Sequence, residues 1–371
     1  MSSSSGPDRA ARLSVLQSTL IGPHLDALVI SSLDNIRYLT GFGGSSGLLL
    51  ITRRACTLIT DGRYELAVRA AISDGTIAPV GVARVAIRYD LTLAECLSLL
   101  GGRKVGFEAA HVTVATLQAW QKVLPDVIWS DTHGLVERQR LIKDPWEQEV
   151  FRRAGKALAG VALRLREWVR AGESERDVAA AIEHGLMEAG FAKPAFPTIV
   201  ASGPNSAHPH ARPTARPLAS GDLVVLDFGG ELDGYCVDLT RMAVVGPASA
   251  EAEALYASVR VAHQAALDAV RPGIETSAID AAARGVLESR GLGEAFLHGT
   301  GHGLGLEVHE APRIARSGPE APELVEVGMV FTIEPGAYLP ELGGVRLEDD
   351  VLVTAMGCEV LTEAPRDLLV V

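Results

Sequence analysis

The chain has 371 residues, of which 47% are hydrophobic and 22% charged, a balance that excludes a largely disordered protein and allows a sizeable buried core. At roughly 150 residues per domain the length predicts two domains. Lys and Arg number 34 against 46 Asp and Glu, and the formal charge of -12 argues against a general binder of nucleic acid or of anionic lipid.

The opening MSSSSGPDRAARLSVL lacks the basic flank and apolar run of a signal peptide, and no stretch of about 20 apolar residues follows, so no membrane span is expected and the cytoplasm is the expected address. Residues 1–12, rich in Ser with Gly and Pro, are expected to form a mobile polar tail. Residues 13–135 predict an amino-terminal α/β domain, in which LDALVIS, SGLLLIT, ACTLIT and RKVGFE read as strands between helices. Between Asn35 and Gly47 four glycines permit tight backbone paths without nucleotide-fingerprint spacing, which leaves open a pocket or interface loop and a purely structural one. Asp61, Arg63 and Tyr64 in TDGRY either orient a substrate or form a solvated turn.

Residues 136–145 combine charges with Pro145, which suits the first turn of a helix, and predict a linker to a second domain over 146–371. Helices are expected at 146–169, at 173–190 with Ser174 as cap and Gly190 as stop, at 251–270 and at 277–289. With β-rich segments after each pair, the order helix, helix, β occurs twice. The four cysteines, Cys56, Cys96, Cys236 and Cys358, are scattered without a CxxC pair, so neither a disulfide framework nor a cysteine-rich zinc site is expected.

The sharpest pattern is GDLVVLDFGG followed by YCVDLTRMAVV, two strands around Glu231-Leu-Asp-Gly234 that predict a hairpin. A register centred between Leu232 and Asp233 sets Asp227 directly opposite Asp238 on one face. Carboxylates so placed, about 4.5–5.5 Å apart at the β-carbons, repel unless a cation or proton compensates them. Metal binding, a proton-sharing pair and exposed acids are the alternatives. The run HGTGHGLGLEVHE adds His298, His302 and His309 among glycines that let backbone approach a ligand, in a spacing unlike the helical HExxH zinc pattern. A structural role for this loop also stays open. Glu334 in TIEPG and Glu348 in GVRLEDD sit beside β-favouring residues. Asp227, Asp238, His302, Glu334 and Glu348 together make an oxygen-rich set with one imidazole, suited to two divalent ions such as Mn²⁺, Co²⁺, Zn²⁺ or Fe²⁺. Paired ions about 3.5–4 Å apart generate hydroxide, so hydrolysis fits.

Taken together, LDFG around Asp227, DLTR around Asp238, HGTGHGLGLEVHE around His302, TIEPG around Glu334 and GGVRLEDD around Glu348 resemble the proline-specific branch of the pita-bread metallopeptidases, from about Leu13 through Leu369. The resemblance implies an α/β two-domain protein, a smaller amino-terminal α/β domain followed by an α+β pita-bread catalytic domain, acting as a homodimer on short proline-containing peptides. It implies two divalent ions, Mn²⁺ first with Co²⁺ or Zn²⁺ as alternatives. Asp227 would chelate one, Asp238 and Glu348 bridge both, and His302 with Glu334 complete the second. Glu334 is then also the proton shuttle, and His210 and His309 orient substrate and stabilise its carbonyl. Arg346 supports Asp238 and the local hydrogen bonds, and His298 stands beside the site or faces substrate. His210 lies in SGPNSAHPH next to His208, and Ala211 replaces a glycine often found there. The isolated His24, His133, His184 and His263 are expected at the surface or locally satisfied. GFGGSSG and TDGRY resemble small aminopeptidase P proteins, which release the residue before a proline in second position. Arg313 instead resembles a dipeptidase feature that meets the carboxylate of Xaa-Pro. Aminopeptidase P is the leading expectation, with Xaa-Pro dipeptidase as the alternative; a non-catalytic scaffold would have lost a ligand, and all five matching positions are filled.

Overall fold

A computed structural model describes residues 6–20, 24–100, 103–318 and 322–371, which fall into two units, Met1–Arg140 and Leu141–Val371. Structure begins earlier than composition indicates. The Asp8 side chain accepts a hydrogen bond from the Ala11 backbone and caps a helix over Arg9–Thr19 that buries Leu13 and Leu16. Arg12, assigned to the polar tail, is itself buried, with its guanidinium 3.9 Å over the Tyr38 ring and Nη1 donating to the Tyr38 carbonyl. The expected tail is thereby corrected for residues 9–12, while residues 1–5 lie outside the described residues.

The four apolar runs form strands Ala27–Ile30, Leu48–Thr52, Cys56–Asp61 and Lys104–Glu108 of one six-stranded sheet. Sequence reading missed its two outer strands, Gly81–Val85 and Ile128–Thr132. Both sit at sheet edges and are half exposed, so neither carries an apolar run. TDGRY closes on itself, because Arg63 donates to both Asp61 carboxylate oxygens at 2.9 and 2.8 Å and the Tyr64 hydroxyl meets Ser45 Oγ at 2.8 Å. Phe42 packs edge-to-face on Tyr64 at 5.5 Å, and a Cβ on Gly44 would lie 2.1 Å from the Phe42 ring, which explains that glycine. The expected linker over 136–145 is no extended connector. It contains the helix Glu137–Leu141, and buried Arg140 donates to the Asn35 side chain at 2.8 Å.

In the second unit Asp144 and Glu147 form a reciprocal capping box and Pro145 opens the helix Pro145–Leu163. The expected continuation to 169 is broken at Arg164, after which a short turn Leu165–Trp168 follows. Helices Glu175–Glu188, capped by Ser174, then Ala250–Ala269 and Thr276–Ser289 complete the anticipated pairs. The first pair precedes a sheet built on strands Leu223–Leu232 and Tyr235–Val244; the second precedes a five-stranded sheet whose central strand is Val330–Ile333. Leu255, Val259 and Ile279 of the helices share a core with Val225, Phe331 and Val351 of the sheets. The twofold helix, helix, β order is therefore present.

The hairpin register differs from expectation. Asp233 and Gly234 form the two-residue turn with φ of 52° and 91°, the left-handed pair that a tight hairpin of right-twisted strands requires. Asp227 accordingly faces Thr240, and Asp238 faces Gly229. Because Asp238 and Thr240 are two apart on one strand, both acids keep to the same face as diagonal neighbours. Opposite Asp238 only glycine fits, since a Cβ on Gly229 would lie 2.2 Å from the Val237 carbonyl oxygen.

The histidine-rich run enters as the short strand Gly301–Gly303, between Glu310–Ile314 and Val330–Ile333. A Cβ on Gly301 would come within 1.9 Å of the Thr332 carbonyl oxygen, and one on Gly303 within 2.0 Å of that of Ala311. These are backbone obstacles that no rotamer change removes. Gly301→Ala is expected to cost about 1–3 kcal/mol, as overpacking does; a thermal midpoint equal to the parent's would contradict this.

Candidate active site

The candidate ligands reach one cavity from separate segments of the second unit. Asp227 and Asp238 come from the hairpin, His302 from the glycine strand, Glu334 from the end of Val330–Ile333, and Glu348 from the turn between Gly343–Arg346 and Asp349–Thr354. The cavity holds about 610 Å³ and is lined by all five together with His210, His298, His309, Arg313 and Arg346. His210 lines it, and the adjacent His208 is not among the lining residues.

Donor atoms of Asp238, His302 and Glu348 lie within 4.8 Å of one another. His302 Nδ1 is 3.1 Å from the Gly303 carbonyl oxygen, so this nitrogen carries the proton and Nε2 presents its lone pair. Nε2 stands 3.5 Å from Glu334 Oε1 and 3.9 Å from Asp238 Oδ2. Burial holds the His302 pKa below its ordinary value, which keeps this imidazole neutral. Asp227 Oδ1, Asp238 Oδ1 and Glu348 Oε1 are all buried without a hydrogen-bond partner. Burial first, then repulsion from the other carboxylates, raises the pKa of both Asp238 and Glu348 well above the usual range. Several buried carboxylate oxygens lacking donors, beside a bare imidazole nitrogen, fit divalent cations of borderline hardness.

Arg346 is buried beside the site. It ion-pairs with Asp227 through Nη2 at 2.5 Å, which corrects the expectation that it supports Asp238. Its Nε donates to Thr240 Oγ1 at 3.2 Å, and Thr240 donates to Glu348 Oε2 at 2.6 Å. Its Nη1 donates to the Tyr338 hydroxyl at 2.9 Å, and that hydroxyl lies 2.9 Å from His298 Nε2. Since His298 Nδ1 faces the Gly299 carbonyl oxygen at 2.8 Å, Tyr338 is the donor to Nε2. Burial pushes the Tyr338 phenol up to about 12, so it keeps the proton this chain requires. Thr240 and Tyr338 were not singled out from sequence. Strand alternation from Asp238 would have found Thr240; nothing in the spacing marks Tyr338.

The acids after Glu348 turn elsewhere. Asp350 Oδ2 accepts from the Asp238 backbone at 3.0 Å, and Asp349 receives Arg241 at 2.7 Å and Arg366 at 2.6 Å. His263 is fully buried against Asp349, with Nε2 3.3 Å from Oδ2. Burial lowers its pKa to about 4, and the opposing pull of Asp349 is shared with Arg241 and Arg366. An unfolded chain takes up this proton near pH 6.5 and the folded chain only near 4, so between those values the unfolded state binds more protons. The stabilisation is complete above about pH 6.5 and is lost as pH falls through 4, on the order of 3 kcal/mol. His263→Gln is expected to flatten this part of the stability curve; urea midpoints of variant and parent falling in parallel from pH 7 to 4.5 would refute the assignment.

With the geometry in place, comparison with known proteins gives its owner. Residues 149–355 match the model of metallopeptidase family M24, and residues 12–142 that of the creatinase/prolidase N-terminal domain. The chain belongs to metallopeptidase family M24. Its two-domain pita-bread fold is shared with the Xaa-Pro dipeptidase from Bacillus anthracis, at a TM-score of 0.93 and 32% identity over 98% of this chain and 100% of that one. The X-Pro aminopeptidase from Thermotoga maritima MSB8 superposes with a TM-score of 0.85 at 31% identity, covering 94% and 98%. A curated Xaa-Pro dipeptidase of Pyrococcus horikoshii is 34% identical over 93% of this chain and 95% of that protein. Among the described residues no helix is long and apolar enough to cross a membrane.

Proposed function

We propose that this M24 peptidase hydrolyses the Xaa-Pro peptide bond and releases the amino-terminal residue from peptides with proline in second position. The observation that carries this reading is the convergence of Asp238, His302 and Glu348 in a cavity that His210, His309 and Arg313 also line. Asp227, Asp238, His302, Glu334 and Glu348 would hold two divalent ions, Mn²⁺ ahead of Co²⁺ or Zn²⁺. When bound, such ions act as Lewis acids and make water a nucleophile at neutral pH. Phe196, Pro197 and Ile199 offer an apolar wall suited to a pyrrolidine ring. His210 and His309 donate to the scissile carbonyl oxygen as negative charge develops there. Glu334, whose pKa burial raises, moves the proton from the attacking water to the departing proline nitrogen. Tyr338 and Arg346 fix His298 and Asp227 around this reaction. The reading extends to a cytoplasmic homodimer, whose stoichiometry light scattering would measure.

Xaa-Pro dipeptidase activity is the second reading, favoured by Arg313. Its exposed side chain lines the cavity and has no carboxylate partner among the described residues. The test is cleavage of matched Xaa-Pro and Xaa-Pro-Yaa peptides by metal-free protein and by protein reconstituted with Mn²⁺, Co²⁺ or Zn²⁺, with products identified by mass spectrometry. Preferential release of Xaa from the tripeptide supports the aminopeptidase. Preference for the dipeptide replaces it with the dipeptidase, and no cleavage with any ion rejects both.

A further inference from the structure

Arg313 borders two cavities. It shares a wall with His298 and Gly299 between the catalytic cavity and a second one of about 830 Å³. The charged groups on the walls of that second space are Glu275, Glu294 and Glu323 with Arg284, Arg313 and Arg316. The cations are unequally available. Arg284 is committed to Asp280 at 2.9 and 3.0 Å and to the carbonyls of Phe296 and His298. Arg316 lies 3.6 Å from Glu288, outside this cavity. Among the described residues, none of the three lining glutamates has a cationic partner: Glu275 accepts from the Ser277 hydroxyl and Glu323 from the Arg313 backbone. Among the described lining residues, three glutamates without a cationic partner thus stand against one arginine without a carboxylate partner, Arg313.

Resting on the proposed Xaa-Pro activity, we infer that this second cavity receives the residues that follow proline and selects substrates with a basic side chain one or two places beyond it. Arg313 disfavours a cation at the seam itself, so the preferred Lys or Arg extends past it towards Glu294 and Glu323. Glu323 is half buried, and burial raises its pKa, as expected for a carboxylate lacking a cation. Because Glu275 and Glu294 are exposed, screening keeps the preference modest and dependent on salt.

The experiment measures kcat/KM of the metal-reconstituted full chain on Ala-Pro, Ala-Pro-Lys-Ala, Ala-Pro-Glu-Ala, Ala-Pro-Ala-Lys and Ala-Pro-Ala-Glu. At low ionic strength the better Lys peptide is expected to exceed its Glu counterpart by about three- to tenfold, and the margin is expected to shrink at ~0.5 M KCl. The double variant Glu294→Gln/Glu323→Gln removes the preference while Ala-Pro turnover stays at the parental rate. Ser317→Trp, which projects bulk from the cavity wall, raises KM for the tetrapeptides and spares Ala-Pro. Equal rates on Lys and Glu peptides, or a Lys preference that survives in the double variant, overturn the inference, as does a Ser317→Trp effect equal for dipeptide and tetrapeptide. Failure of the parent to cleave any of these peptides defeats the underlying reading instead.

Discussion

On the proposed metal-dependent reading, Asp238→Asn is expected to abolish divalent-ion binding at the site and to lower kcat/KM on an Xaa-Pro peptide by about 10³-fold or more, the scale on which removing a central charge from a reacting constellation acts. Asp238 belongs to the tight group with His302 and Glu348, and it is buried with Oδ1 unpartnered. An amide keeps the shape but loses the charge, and its nitrogen points a donor where a cation needs an acceptor. Elemental analysis and calorimetric titration with Mn²⁺ measure the binding, and peptide hydrolysis measures the rate. The metal-free variant is expected to melt at or above the metal-free parent, because burial and the neighbouring acids already disfavour this charge. A variant that retains full ion stoichiometry and turnover would remove Asp238 from the site.

Arg241→Ala is expected to produce the largest loss of stability, about 3–5 kcal/mol, as when one partner of a buried ion pair is deleted. Its guanidinium donates to Asp349 Oδ1 at 2.7 Å, to the Glu348 carbonyl at 2.6 Å and to the carbonyls of Thr240, Ala364 and Pro365 at 3.0, 2.9 and 2.9 Å. Deleting it leaves several buried acceptors without donors and leaves Asp349 with Arg366 as its remaining arginine. The melting temperature is expected to fall by on the order of 10 °C. Lys is expected to recover only part of this, since a single ammonium cannot span acceptors arranged around a planar fork. An Ala variant melting within ~2 °C of the parent would show that the network is not a stabilising one.

Much of this molecule is legible in its sequence, for identifiable reasons. Ser174, Asp144 with Pro145, and Gly190 mark helix ends through local chemistry, so the helices of the second unit fall close to where pattern puts them. The hairpin was recognised but its register was misplaced, although Asp233-Gly234, the dipeptide suited to two left-handed residues, stood in the sequence to correct it. Edge strands escaped because half exposure erases the apolar run. The partnership of Arg346 with Asp227 was beyond reach, since sequence spacing gives no information on which of two neighbouring acids a long guanidinium meets. Tyr338 was hidden for a similar reason: a single hydroxyl acquires its role from the His298 and Arg346 that the fold brings to either side.

The unpartnered carboxylate oxygens of the site also bear on how the protein persists in a cell. On the proposed reading, ligand occupancy and folding are linked by mass action: free ion at 100 times its dissociation constant adds about 2.7 kcal/mol to the folded state. A chain made during metal scarcity would carry its repelling acids uncompensated and open more often to proteases. The abundance of the enzyme, and not only its rate, would then report the free ion concentration around it.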